Sequence, residues 1–586
     1  MLTQDMLNTT YRNEGYLDIL MFVQDKNVRI TNITSNSTLS FSNLSTITNL
    51  DKYNSATMAT LERNLWILDG TFFNPNKAQV YDGYISSEMS DDNGDFKTNP
   101  VINLTLLQEY STEYFSLVFN PAVQTAYPKK VTVSFSNNSG QEVLTRTVDI
   151  SEINTLPNLV IEAKLDNVKS VKIEFIGTQV PHRRIRLSTA MFGKLEMFNQ
   201  EQIVDCDWND KCSLVADTLP SRIFSWKMTN YDKKYNIDNP SNELPVLDRS
   251  TEVMLRWGYK TDGGLIEWTD MKHLRLLSVS TNDDDTATFE AGSNLDMMDA
   301  IFDRDVYNGE RTTGEIVRTL LNFVGADASL VIYDGNFENS IIDRPLPEQP
   351  VRELLQLLAF GCGATLQILD NGQIKFADIS ISNPTSKATF TYNDFASIPR
   401  AEQLEYTSNV ALTTTTSSVE KEKRQLVSTT ITTQEVSINY GTAKDAIAIA
   451  KDGTIIKSAY YTTHCELEVM FAGDSCEIEI QGYGITTATR SEKWVTSNTL
   501  VLDSQMARYP NETVRKKYAD WYDKRFKYIM TTRGEPLVNA TDIVSIQTPF
   551  TEVIGSVVNK PMKTYVLQNH ITYDGAWGGD MEVIAL

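Results

Sequence analysis

Apolar and polar residues alternate along much of this chain. Val131-Thr-Val-Ser-Phe-Ser, Leu159-Val-Ile-Glu-Ala-Lys-Leu and Val171-Lys-Ile-Glu-Phe-Ile each put an apolar side chain at every second position. A period of two predicts strands buried on one face. Turn residues cut the runs at Asn137-Asn-Ser-Gly140, Asp262-Gly-Gly264, Asn371-Gly372 and Asp452-Gly453, as hairpins require. Asn371-Gly372 stands between Ala364-Thr-Leu-Gln-Ile-Leu and Gln373-Ile-Lys-Phe-Ala, the clearest hairpin in the sequence. The threonine-rich run Thr413 to Ser418 is expected to be a strand.

A helical period shows in three places. Ile316, Val317, Leu320, Leu321 and Val324 share one stripe over Thr313–Val324, with Gly325 placed to cap it. Pro350 to Phe360 buries Leu354, Leu355, Leu357 and Leu358 and is expected to stop at Gly361. Tyr509 to Met530 is the third, rich in Lys, Arg, Tyr and Trp. The predicted fold class is therefore mainly β and multidomain, a β-sandwich plus further β-domains with a small α/β insert. We divide it into a β-rich lead-in (1–50), a β-sandwich (51–200), a β-domain (201–305), the α/β insert (306–385), and a return to β with one late helix (386–586).

Length agrees, because 586 residues suit several domains of roughly 100–200 residues each. Charge narrows the partners. Lys and Arg number 53 against 76 Asp and Glu, a net charge of −23. Such a balance opposes binding to nucleic acid or to an anionic membrane through the global field. No apolar run reaches the 18 or so residues that a spanning helix needs. Met1-Leu-Thr-Gln-Asp-Met-Leu-Asn lacks the cationic and apolar parts of a signal peptide, so synthesis in a cytoplasm is expected. Five scattered cysteines do not form a disulfide scaffold. Cys206 and Cys212 could close a small loop, but reduced thiols are expected.

Catalytic signatures are missing. The four histidines lie far apart, with no His-Glu-x-x-His and no Cys-x-x-Cys, so zinc is not expected. Walker and nucleophile-elbow motifs are absent. Gly361-Cys-Gly363 opens like a dinucleotide fingerprint but follows a helix and lacks the third glycine. His464 and Cys465 are neighbours, and neighbours on a strand face opposite ways. Asp296, Asp299 and Asp303 recur at helical spacing beside Asp305. They read as a solvated helix face, or as ligands for a hard cation such as calcium. We expect no enzyme activity, cofactor or metal.

Two segments remain as candidate ligand or subunit contacts. His182-Arg-Arg-Ile-Arg186 is a basic island in an acidic chain. Arg183, Arg184 and Arg186 either touch an anion or sugar or pair with nearby acids. In Arg515 to Tyr528, aromatics interleave with cations, as on single-strand nucleic-acid surfaces. Trp521 and Tyr522 also fit a packing stripe against the domain or a neighbouring subunit, which is the use we expect.

Leu219-Pro-Ser-Arg-Ile-Phe-Ser-Trp-Lys-Met-Thr-Asn-Tyr-Asp-Lys-Lys-Tyr-Asn-Ile-Asp-Asn-Pro-Ser-Asn242 resembles a segment of bacteriophage tail and baseplate hub proteins. The resemblance continues through Val253-Met-Leu-Arg-Trp-Gly-Tyr, Ile266-Glu-Trp-Thr-Asp and Phe289-Glu-Ala-Gly-Ser-Asn-Leu-Asp-Met-Met-Asp. Pro350 to Ala359, Gly363 to Phe376, Arg533 to Val544 and Tyr565 to Trp577 follow in the expected order. Residues 51–200 look like a galactose-binding, discoidin-type jelly roll, carried by Leu61–Gly70 and Arg183–Gly193. There Ala190-Met191 stand where many phage sequences have Glu-Ile.

The resemblance implies hub β-domains and a virion component at the tail tip or baseplate, assembled in the bacterial host cytoplasm. It implies a homotrimer, or a ring matching a hexameric tube. Its partners would be the tail tube and distal tail proteins, the tape-measure protein, and tail fibres or a spike. The alternatives are a glycan- or receptor-binding tail protein acting on a cell-surface glycan through residues 51–200, and a tail-tip cell-wall hydrolase, which the missing motifs disfavour.

Overall fold

The computed structural model describes residues 15–24, 28–39, 44–48, 62, 83–119, 126–150, 158–198, 202–213, 218–236, 238–239, 247, 251–260, 266–269, 271–282, 285–378, 385–391, 394–405, 407, 409–490, 499–504, 506, 512–524, 526–547 and 561–586. Met1–Asn8, most of Leu61–Gly70, the Asp262–Gly264 turn, Asp283, Asp284 and Tyr509 lie outside them. At 58% strand and 11% helix among the described residues, against roughly 20–25% strand in an ordinary soluble domain, the fold is mainly β and multidomain. Among the described residues no helix is long and apolar enough to cross a membrane. The chain divides into two compact units. One gathers 1–207, 224–291 and 572–577, the other 208–223, 292–571 and 578–586.

The first unit is antiparallel. Val101–Phe119 pairs with Ile30–Ser35, Asn158–Thr178 and Arg186–Phe198. Pro128–Ser136 joins Asn158–Thr178 on one side and Glu142–Asp149 on the other. Alternation sets the faces: Val131, Val133 and Phe135 are buried while Lys130, Thr132 and Ser134 are not. At Asn137–Gly140 the side-chain Oδ1 of Asn137 accepts the N–H of Ser139 and of Gln141, and Gly140 supplies the positive φ. The inward residues form one core in which Phe115 lies edge-on to Phe135 and Phe192. Gly15–Gln24 bridges Arg186–Phe198 and Glu252–Lys260. That register sets Asp18 opposite Arg256, a buried ion pair at 2.6 Å.

The second unit holds the helices. Helix α1, Thr313–Phe323, starts in a capping box: Thr312 Oγ1 accepts the Glu315 N–H, and the Glu315 carboxylate accepts the Thr312 N–H. Its stripe Ile316, Val317, Leu320 and Leu321 is buried against helix α2, Val351–Cys362. The hairpin Ala364–Ile368 and Ile374–Asp378 forms across Asn371-Gly372, and Val331–Tyr333 adds to it in parallel. The threonine run lies in the strand Asn409–Val419. A separate core forms where Phe526–Thr532 pairs with the C-terminal strand and Ile543–Ile546 pairs with Met562–Tyr573.

Three expectations change. The second helix does not stop at Gly361; it runs to Cys362, and Gly363 takes the left-handed conformation that ends it, φ +71°. The third helix, α3, covers Glu512–Tyr522 only. Phe526–Thr532 becomes a strand because it pairs on both sides, with Arg400–Gln403 and with residues 579–584. Asp296, Asp299 and Asp303 share no helix, since only Asn294–Met297 turns helically and Ile301–Phe302 is extended. There the Asp296 carboxylate accepts the N–H and hydroxyl of Ser293.

Gly325 and Gly363 give a direct test. Both have φ near +70°, but a Cβ on Gly325 meets open space while one on Gly363 would sit 3.1 Å from Val514 Cγ2 of α3. Strain alone costs roughly 1 kcal/mol. Urea unfolding should show Gly325→Ala losing about 1 kcal/mol and Gly363→Ala about 2 kcal/mol. Equal losses would contradict the packing of α3 on α2.

Candidate functional site

Arg222 is 1% exposed and sits at the centre of a charged knot. It lies in the strand Ser221–Thr229, where alternation sends every second side chain inward. Its Nε and Nη2 meet the two oxygens of Asp210 at 3.1 and 2.8 Å, and its Nη1 reaches Asp370 Oδ1 at 3.2 Å. The guanidinium lies 5.4 Å from the ring centre of Trp208. Asp370 also accepts two bonds from the Asn539 amide, at 3.0 and 3.1 Å. Asp210 accepts the backbone N–H of Ala540 at 2.9 Å. Burial works against the Arg222 charge, but Asp210 and Asp370 outweigh it and its pKa moves up.

Further bonds extend the knot. Asn294 Nδ2 donates to Gly372 O, in the same hairpin turn as Asp370. Thr541 N–H donates to Val566 O, Val566 N–H to Asp542 O, and Cys212 N–H to Leu567 O, each at 2.9 Å. Five segments distant in sequence meet here. The chemistry is that of a clamp of fixed donors and acceptors.

The basic island lies in the other unit and is mostly buried. Arg186 Nη2 meets Glu62 Oε2 at 2.5 Å, and the other oxygen of Glu62 accepts the backbone N–H of Arg184. Arg184 Nη1 donates to the carbonyls of Ser86 and Ser87. Arg183 is 4% exposed, donates its backbone N–H to the Ser90 hydroxyl while its carbonyl accepts the Ser90 N–H, and has its pKa lowered by burial, against the pull of Glu62. Trp521 and Tyr522 stand on α3. Trp521 is 5% exposed and lies edge-on to Tyr565 at 5.1 Å, and half-buried Tyr522 packs on the same core.

A cleft of about 460 Å³ opens beside α3, lined by Phe337, Ile341, Cys362, Asp378, Val514 and Lys517 among others. Lys517 is paired with Asp378 at 2.8 Å and lies 4.9 Å from the Phe337 ring centre. Burial raises the Cys362 thiol pKa, and Thr313 Oγ1 stands 3.3 Å from its sulfur, so the cleft holds a protonated thiol and a neutralised cation. Burial likewise pushes Cys465 to about 12. Beside it, His464 Nδ1 lies 3.2 Å from Thr463 Oγ1. All five cysteines are free thiols.

Sequence reasoning alone does not single out Arg222 or Asp210, although a signal is present. Arg222 shares its strand face with Phe224, Trp226 and Met228, and Asp210 shares one with Cys206 and Trp208. A charge in the apolar register of a strand marks a buried pair.

No family model and no curated protein matches the chain. Among solved structures, a tail protein from Neisseria meningitidis MC58 is similar at 9% identity, covering 66% of this chain and 93% of its own, with a TM-score of 0.37. The 43 kDa tail protein of prophage MuSo2 from Shewanella oneidensis aligns at 11% identity over 66% and 95%, TM-score 0.35. The prophage tail protein gp18 from Listeria monocytogenes EGD-e aligns at 10% over 66% and 91%, TM-score 0.31. At such scores, the functional reading rests on this chain's own residues.

Removing one partner of a buried ion pair strands the other charge, at about 3–5 kcal/mol. Asp210→Asn should therefore cost about 3 kcal/mol in urea unfolding followed by tryptophan fluorescence. A loss under about 1 kcal/mol would mean that the knot is solvated.

Proposed function

We propose that this protein is a non-catalytic structural component of a phage tail or phage-like injection particle, forming the baseplate or tail-tip hub between tail tube and host-binding apparatus. One observation carries the reading. Five of the blocks whose sequence resembles hub proteins are distant in the chain, yet each of the five supplies a member of the Arg222 knot. Arg222 comes from the first block, Asn294 from the Phe289 block, and Asp370 and Gly372 from the insert. Asn539 to Asp542 come from the Arg533 block, and Val566 and Leu567 from the last. A set of resembling segments that converges on one buried clamp behaves as one structural module.

The site chemistry supports the same reading. The cysteine thiols with resolved shifts are held protonated by burial, and each charged group of the knot has a hydrogen-bonded partner. In this reading the chain assembles as a homotrimer or ring and meets tube, tape-measure and fibre or spike proteins. Residues 51–200 serve as a jelly-roll spacer or as a glycan-contacting domain. Rings of β-domains bury strand edges that would otherwise invite aggregation.

Light scattering behind a sizing column tests this on the full chain. The expected mass is three times the 66.1 kDa of one chain, or a larger multiple of three. A monomer at every concentration, with no binding to tail-tube protein, would overturn the hub assignment.

A further inference from the structure

Residues 424–484 form a sandwich with its own core. Arg424–Ile431 and Ala443–Ala450 both pair with Cys476–Arg490 in one sheet. Glu435–Asn439 and Gly453–Tyr460 flank His464–Phe471 in the other. Ile438, Cys465, Leu467, Ile478 and Ile480 close between them, and this core shares no residue with the core around α1 and α2. The chain enters and leaves through one ribbon, Thr414–Val419 against Ile485–Arg490. Its side chains are mainly threonine and serine, so the ribbon has no broad apolar face to fix its angle.

The second attachment is polar. The turn 461–464 belongs to the sandwich, because Tyr440 donates its N–H to Thr463 O and its hydroxyl to His464 O. That turn meets the segment 304–311. Thr462 N–H donates to Asp305 O at 2.6 Å, and Thr462 Oγ1 donates to the same oxygen at 2.8 Å while accepting Tyr307 N–H at 2.9 Å. Asp305 is 5% exposed, and its carboxylate is fixed by Arg311 at 2.6 Å and by Leu346 N–H at 2.9 Å. Thr463 Oγ1 donates to Glu348 at 2.7 Å, and Lys444 Nζ to Asn308 O at 3.2 Å.

We infer that the 424–484 sandwich is a latched arm, held by Thr462 on Asp305 and free to swing on its threonine ribbon once that latch opens. The partition of energies supports this. Water can replace each latch bond at small net cost, whereas opening the sandwich would expose its apolar core. A body with its own core, joined through a polar contact, opens as a unit before it unfolds. The inference goes beyond the hub assignment and holds without it.

Hydrogen exchange on the full chain tests the latch. In Thr462→Val the amides of Thr462, Tyr307 and Leu346 should exchange roughly tenfold faster, while those of Leu467, Ile478 and Ile480 keep their protection. Thr462→Ser, which retains the hydroxyl, should behave as the wild type. Asp305→Asn leaves the backbone acceptor in place and gives a second, milder opening with the same split. Core amides that lose protection together with the latch would overturn the arm, as would latch amides unchanged in both Thr462→Val and Asp305→Asn.

Discussion

An arginine removed from water must be met by carboxylates, because the desolvation of a lone guanidinium is too costly to leave unanswered. At Arg222 that requirement organises the second unit. Asp210 satisfies two of its donors and Asp370 a third. Both carboxylates retain spare acceptor capacity, filled by Ala540 N–H and the Asn539 amide. The hairpin turn at Asn371-Gly372 and the loop before Ile543–Ile546 are thereby fixed on one point. Bidentate geometry makes the contact directional as well as strong, which a purely apolar junction would not be.

The same device recurs in the first unit. Asp18 faces Arg256 across neighbouring strands, and Glu62 bridges the Arg186 side chain and the Arg184 backbone. The Asp18–Arg256 pair sets strand register, since slipping by one residue would leave a buried charge unmatched. Apolar burial supplies the main driving force in each core, and the charged pairs select one arrangement among many that would bury similar area. A protein that must hold its shape within an assembly gains from that selection.

Much of the fold was legible where short-range rules decide it. The period of two in Val131–Ser136, the Asn-Gly turn at 371–372 and the stripe on α1 need only neighbours to act. Phe526–Met530 reads as helix in the sequence because its aromatics and cations satisfy a helical stripe, while the partners of the strand it forms are Arg400–Gln403 and residues 579–584. Gly361 and Gly363 look equivalent in sequence, and backbone conformation alone separates them. The basic island could be read as surface or as paired. Its acidic partner, Glu62, lies more than a hundred residues away, and no local rule joins them. Arg222 was open to detection, since it occupies an inward position in register with Phe224, Trp226 and Met228, but which carboxylates would answer it depends on the whole fold.

The account stands on the claim that Arg222 couples its own strand to the hairpin turn at Asp370. A double-mutant cycle with Arg222→Met and Asp370→Ala, read by urea unfolding of the full chain, measures that coupling directly. The knot predicts a coupling energy of about 1–3 kcal/mol, well above the few tenths expected of independent sites. Losses that add to within about 0.5 kcal/mol would contradict it and leave the segments joined by their other hydrogen bonds and apolar core alone.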